Sequence, residues 1–546
     1  MEFVFALHSH LPYVLNHGRW PHGSDWLCEA AIDTYLPLLE QLRALDAEGT
    51  AAPVTIGFTP ILANQLASPV FGRELEAFFD QRLKACAEAP PAMSTTGDAA
   101  LIPLVEYWRR HLERLRDLFH STGGDLLSAF RAFQERGRLE IIGSAATHGY
   151  LPLLRRDESI RLQLGVGQRE HRRLFGVRPT GCWLPECAYR PKHGQRPGIE
   201  EHLFEAGFRY FFTDAHQARA GQALGTYGEV PLGAERFDAE RHGDAVVPPI
   251  AAIRSPYLAY RVSRAKPGVA ALVRDPRSSL QVWSRQQGYP GDEWYLEFHK
   301  IRWPGGLKLW RVTGSGIDLG DKRNYEPERA HQRAADHARH FTDLLVSIGE
   351  AKADLVVAPF DTELFGHWWF EGVDFLAAVY RELRHRPSVR PVTGGQHLAA
   401  HPPTTGLRLA EGSWGVNGDH SMWMNDQTRW TWDRLWPLED AFWDAVPAAL
   451  ANPGALPIVA QAARELLLAQ ASDWQFIIST GAVADYAERR FVGHCEDTRR
   501  LLDGLRSGAL EGAARLADEL WQRDTVFPDV LEAVSAAIAA PASAIG

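Results

Sequence analysis

Seven apolar runs separated by stretches of helical spacing constrain this chain more than any other feature. They occupy residues 3–10, 54–62, 139–148, 181–186, 208–214, 279–284 and 354–361. Between the first two, residues 28–45 place Leu36, Leu39 and Leu42 on one helical face. Helical patterns at 326–349 and 373–383 flank the last run. Strands that are apolar nearly throughout and alternate with helices predict a parallel sheet covered on both faces. Polar residues recur at the C-terminal ends of the runs, and the residues collected there are His10, His148, Glu186, Asp214, Trp283 and Asp361. In a closed barrel these ends converge on one face, where functional side chains collect. The expected fold is therefore α/β, a (β/α)7 barrel one unit short of the common eight. An open doubly wound sheet is the alternative, but no Gly-rich phosphate turn follows the first run.

Two of these runs share a design. Gly181-Cys182-Trp183-Leu184-Pro185-Glu186 and Asp354-Leu355-Val356-Val357-Ala358-Pro359-Phe360-Asp361 are each an apolar strand, a proline and a carboxylate. A carboxylate among such neighbours is costly to bury unless it is paired or used. Two carboxylates on two strands are the minimum equipment for glycosidic bond chemistry. Retention of configuration needs a nucleophile and an acid/base group about 5–5.5 Å apart. Glu186 fits the first role and Asp361 the second. Glu363 competes for the second, since residues i and i+2 share a strand face, although a helix cap or an Arg partner would also account for it.

Composition removes several other classes. The 546 residues carry a net charge of -10, which argues against nucleic-acid and anionic-membrane partners. No run of about 18 apolar residues is present, so no membrane-spanning helix is expected. The apolar start, Met1 to Leu7, has no basic region before it and reads as a barrel strand, not a signal peptide. Five scattered cysteines suit a reducing, cytoplasmic setting, and Cys182 with Cys187 is too small a set for structural zinc. The 18 tryptophans exceed ordinary core needs. Flat indole faces stack on sugar rings, although each ring taken singly could equally be core.

The pattern loosens at 215–278 and 286–319, which read as insertions at the barrel mouth. Residues 386–406 are rich in Pro, Gly, Thr and His, and the domain boundary is placed there. The barrel then covers residues 1–400. Residues 401–546 form a helical domain packed against the mouth, with helices expected at 433–451, 458–470, 482–504 and 530–539 and a frayed end from 540.

Two further chemistries are compatible with parts of this pattern. His8-Ser9-His10 sets two imidazoles on one strand face, a metal-site spacing found in barrel hydrolases of amides and acetyl groups; His148 and Asp361 could complete such a site. That reading leaves the tryptophans and the Glu186 strand without a role. An inactive carbohydrate-binding barrel is disfavoured by the paired carboxylates.

Five segments resemble the glycoside hydrolase family 57 pattern in order and spacing, over nearly the full length. They are His8-Ser9-His10-Leu11-Pro12-Tyr13-Val14, Gly57-Phe58-Thr59-Pro60-Ile61-Leu62, Trp183 to Tyr189, Ala358 to Trp369, and Ser413-Trp414-Gly415 to Trp423. The resemblance is strongest to the branching members of the family. It implies a (β/α)7 barrel with a helical C-terminal domain, Glu186 as nucleophile, Asp361 as acid/base, and no metal or organic cofactor. It implies His10 and His148 beside the scissile bond, and Trp20, Trp283, Trp414 and Trp423 along a glucan groove. Arg274, Gly291 and Asp473 match substrate-binding positions, and Tyr227 matches a catalytic loop. Residues 233–268 form a longer insertion than the pattern has. The implied partners are α-1,4-glucan donor and acceptor chains. An α-amylase or a 4-α-glucanotransferase of the same family is the nearest rival.

Overall fold

A computed structural model describes residues 1–221, 223–224, 254–262, 268–283, 288–314 and 316–539. Nine strands are present among these residues: β1 (Glu2–Ser9), β2 (Val54–Phe58), β3 (Leu139–Ser144), β4 (Gly181–Trp183), β5 (Tyr210–Thr213), β6 (Ala259–Arg261), β7 (Ala270–Val273), β8 (Leu355–Asp361) and β9 (Arg390–Pro391). The strand order is β6-β7-β5-β4-β3-β2-β1-β8. From β7 to β8 this sequence contains seven strands, and every pair within it is parallel. Beyond β8 the ring is completed by one backbone hydrogen bond, from Asp275 N–H to the Val357 carbonyl (2.8 Å). The seven-stranded barrel expected from the runs is thus the observed architecture.

One expected strand is wrong. Residues 279–283 lie in the helix Pro276–Trp283, and the barrel strand is β7, just upstream. The cause is local. Asp275 Oδ2 accepts from the Ser278 backbone N–H (2.7 Å) and Pro276 occupies the first turn, so Asp275-Pro276 starts a helix. Trp283 therefore ends a helix and not a strand. β6 pairs antiparallel outside the ring, and β9 pairs with β1. The Pro- and Gly-rich stretch at 386–406 thus also carries a short strand and the helix Gly394–Ala400.

The strands of the ring run from eight residues in β1 to three in β4. β1 is buried along its whole length. β4 has three residues and stops at Leu184-Pro185, after which Glu186 and Cys187 take left-handed backbone conformations (φ 59° and 47°). His148, beyond β3, has φ 59°. Left-handed conformations are costly for non-glycine residues and persist where the surroundings hold them. Three of them ring one end of the barrel. Another tight turn follows β8: Gly366 has φ 116°, and a β-carbon there would lie 1.9 Å from the Asp33 carbonyl oxygen. Gly366→Ala is expected to lower the unfolding free energy by about 2 kcal/mol or more, measured by urea denaturation. An unchanged midpoint would mean that this turn is not held against the helix beneath it.

The C-terminal part is helical: Arg429–Ala449, Leu456–Ala469, Asp473–Thr480, Ala484–Ser507, Leu510–Arg523 and Val530–Ala539. Residues 458–469 are buried without interruption, so this helix is the hub on which its neighbours pack. Its end delivers Ser472 and Asp473 to the barrel mouth.

Candidate active site

A cleft of about 610 Å³ opens where the strand ends meet the C-terminal helices. Glu186, Asp361, Glu363, His8, His10, His148, Trp283, Trp414 and Asp473 all line it. Pro290, Leu296, Phe298 and Val312 wall it from the insertion that follows the helix Pro276–Trp283.

Glu186 is buried, yet both of its oxygens have donors. Trp414 Nε1–H donates to Oε2 (2.9 Å) and Ser472 Oγ–H to Oε1 (2.9 Å). The Trp414 backbone N–H also donates to the Glu186 carbonyl (3.0 Å), which holds the left-handed turn in place. Burial pushes the Glu186 carboxyl up to about 7, against the two donated hydrogen bonds and with help from the negative charge of Asp473. Such a group is ionised enough to attack and poorly solvated enough to be reactive.

Three imidazoles crowd the other wall. His10 and His148 stack with centroids 4.0 Å apart, and His8 stacks on Trp183 at 4.7 Å. His10 Nε2 meets Asp473 Oδ2 at 2.9 Å, and its Nδ1 meets Thr59 Oγ1 at 3.0 Å. His148 Nδ1 meets Ser472 Oγ at 2.9 Å, and its Nε2 meets His8 Nε2 at 2.9 Å. His10, His148 and Asp473 bring ligand atoms within 4.8 Å of one another. All four ring nitrogens of that pair are already hydrogen-bonded, however, and stacked rings direct their lone pairs side by side instead of at a common point. The arrangement suits a hydrogen-bonding wall better than a metal cage.

Asp361 ends β8, opposite His8 in register. Glu363, two residues on, is occupied: the Tyr35 hydroxyl donates to Oε1 (2.5 Å), and so does the His10 backbone N–H (3.1 Å). Burial raises its carboxyl to about 7. Its bonds give it the task of fixing His10 and the start of the β8 turn. Tyr35 reaches it from a π-turn, Ala31–Tyr35, set between two α-helical segments.

The aromatic residues divide. Trp283 lines the cleft, half-buried, edge-on to Trp414 (5.6 Å). Trp414 also lines it, but it is buried and spends its indole N–H on Glu186. Trp423 is fully buried, stacks on Tyr150 at 4.6 Å, and lies outside the cleft lining. Trp20 is 69% exposed beside Pro21, which does line the cleft, and meets Trp303 edge-on at 5.8 Å. Arg274 is no surface residue: it is buried 3.6 Å from Asp214 and lies over the Trp283 ring at 5.5 Å, behind the wall and not on it. Gly291 closes the turn Tyr289–Gly291 next to the lining residue Pro290. Tyr227, and residues 233–253 and 263–267 of the insertion, lie outside the described residues. Ser472, Tyr35 and Thr59 were not singled out from sequence. The side chains of Ser472 and Tyr35 act through partners that are distant in the chain, and no local pattern marks them; Thr59 also caps the helix Pro60–Leu66 by accepting from the Leu62 N–H, and only this capping role is signalled locally.

Residues 4–409 match a family described as glycosyl hydrolase family 57, and residues 445–534 match a domain described as the C-terminal part of 1,4-alpha-glucan branching enzymes. The 1,4-alpha-glucan branching enzyme of Thermococcus kodakarensis is 38% identical over 97% of this chain and 77% of its own. The crystal structure of that archaeon's GH57 branching enzyme, with glucose bound, superposes with a TM-score of 0.87 at 36% identity, covering 98% and 96% of the two chains. An alpha-amylase from Thermotoga maritima gives 0.79 at 28% identity, covering 98% and 99%.

Proposed function

The chain belongs to glycosyl hydrolase family 57, and from this premise we propose that it is a 1,4-alpha-glucan branching enzyme acting by a retaining double displacement. The observation that carries the reading is Glu186: a buried carboxylate at the cleft floor, with a donor on each oxygen and its charge destabilised by burial. The second match, over residues 445–534, is to a domain described as the C-terminal part of 1,4-alpha-glucan branching enzymes, and it supports the branching reading over the amylase one.

In the first step Glu186 attacks the anomeric carbon of an α-1,4-linked chain, and the C1–O4 bond breaks as Asp361 gives its proton to O4. In the second, the 6-hydroxyl of an acceptor glucan gives its proton to the Asp361 carboxylate. Its oxygen attacks C1, and the bond to Glu186 breaks. Two inversions leave an α-1,6 branch with the original anomeric configuration. Whether water intercepts the glycosyl-enzyme depends on how well the cleft excludes it and seats the acceptor. Trp283, Trp20, Trp303 and Trp368 offer indole surface at or near the opening for a repetitive chain.

The test is trapping. A fluorinated α-glucosyl or maltosyl fluoride that forms the glycosyl-enzyme faster than it is resolved is expected to add one sugar mass to the peptide carrying Glu186. Label on Asp361 or Glu363 instead would reassign the nucleophile. Tyr227→Ala is expected to lower branching more than hydrolysis, as a residue that seats the acceptor would. Equal losses, read as branch formation against reducing ends, would remove it from acceptor handling.

The setting proposed is the cytoplasm, in the synthesis of glycogen or a similar α-glucan. All five cysteines are free and buried, and among the described residues no helix is long and apolar enough to cross a membrane.

A further inference from the structure

We propose that His8 is a positioning residue for the nucleophile: by donating from Nε2 to His148 Nε2 it fixes His148 as the Nδ1–H tautomer, so that Ser472 can donate only to Glu186. The inference rests on the reading of Glu186 as nucleophile.

The argument is one of proton counting. Four groups form an unbroken row: His8 Nε2 to His148 Nε2 (2.9 Å), His148 Nδ1 to Ser472 Oγ (2.9 Å), and Ser472 Oγ to Glu186 Oε1 (2.9 Å). Ser472 has a single hydroxyl proton. An ionised Glu186 can only accept, so that proton points to Glu186. His148 Nδ1 must then donate to Ser472 and carries the ring's proton. Its Nε2 is left bare and accepts, so His8 supplies the N–H. Burial holds both rings well below the usual histidine range, so each is neutral with one proton. Every bond in the row then has one direction.

The far end of the row sets that direction. His8 Nδ1 has no hydrogen-bond partner among the described residues and sits over Gly57, where a β-carbon would come within 3.6 Å of it. A proton there would be a buried donor facing carbon, so His8 keeps its proton on Nε2. This is also the tautomer that free imidazole side chains prefer. His148 alone would prefer it too, and its bare Nδ1 would then draw the Ser472 proton away from Glu186. His8 prevents this. It touches neither Glu186 nor any reacting atom; its ring is held flat against Trp183, with interplanar angle 3°.

Other charged and titratable groups face the same space: His10 on β1, Tyr150 after β3, Cys187 after β4, Asp361 and Glu363 after β8, and Asp473 at the start of its helix. Of these, Asp473 raises the Glu186 carboxyl and His10 lowers it. None of their side chains hydrogen-bonds to the side chain of His8 or Ser472; His10 acts on both rings of the row through its charge, which lowers them further.

The experiment is the pH dependence of kcat/KM for glucan cleavage, whose acid limb reports ionisation of the nucleophile in the free enzyme. His8→Phe keeps the ring stack and removes the donor; His8→Leu serves where Phe does not fold, and thermal melting checks each. Either variant is expected to move the acid limb up by about one unit, because the charged form loses a donor, and to leave the alkaline limb in place. Ser472→Ala is expected to do the same. The double variant should shift the limb no further than Ser472→Ala alone, since both act through one bond. A folded His8 variant with the wild-type acid limb would overturn the proposal, as would shifts that add in the double variant. If Glu186→Gln keeps full activity, the reading of the nucleophile fails instead, and the two failures are distinguished.

Discussion

Glu186→Gln is expected to abolish both chain transfer and hydrolysis, with kcat/KM falling on the order of 10⁴-fold or more, while the fold stays intact. The isosteric amide keeps the packing. Its oxygen can accept from Trp414 Nε1 and its nitrogen can donate to Ser472, so the pocket's hydrogen bonds survive without the negative charge. Removing a poorly solvated charge relieves the cost of burying it, so the melting temperature should hold or rise. The combination of lost activity and undiminished stability identifies a functional carboxylate. Loss of both together would make Glu186 a structural residue whose removal collapses the turn after β4.

The second large effect is expected at Asp361. Asp361→Asn should lower turnover of amylose about 10²- to 10⁴-fold, the usual worth of a positioned acid/base. The loss should depend on the leaving group. A glycosyl fluoride needs little protonation, so the first step should survive in the variant. The second step lacks its base, and the glycosyl-enzyme should accumulate. Azide, which attacks without a base, should then restore turnover. The same comparison separates Asp361 from Glu363. Glu363 is held by the Tyr35 hydroxyl and the His10 N–H, so its replacement should disturb His10 and not respond to azide. Azide rescue at Glu363 and none at Asp361 would exchange the two roles.

The barrel was legible because its strands are buried on both faces and so read as apolar runs. The carboxylates at the ends of β4 and β8 were legible because each breaks such a run directly after a proline. Strand β7 was not. Ala270-Ala271-Leu272-Val273 is apolar but only four residues long and falls inside the stretch read as an insertion, while Asp275-Pro276 commits the neighbouring Ser279 to Trp283 to a helix. The tryptophans were legible as a number and not as roles. Trp414 gives an N–H to the nucleophile, Trp423 fills the space behind Tyr150, and Trp283 alone of these three presents a half-buried face to the cleft. Nothing within ten residues of each ring separates these fates, since each is set by a partner on another element. His8-Ser9-His10 suggested metal ligands for the same reason: the spacing places both rings on one face, but Asp473 and Thr59 take up the ring nitrogens of His10, and Ser472 and His8 those of His148, all from positions remote in sequence from the ring they bond.

The measurement that bears most directly on the account is proton NMR of amylose incubated with the purified protein, counting α-1,6 linkages against new reducing ends. A branching transferase predicts many new α-1,6 signals and few reducing ends, both absent with Glu186→Gln. Reducing ends accumulating without branches would contradict that account and make the chain a hydrolase on the same scaffold.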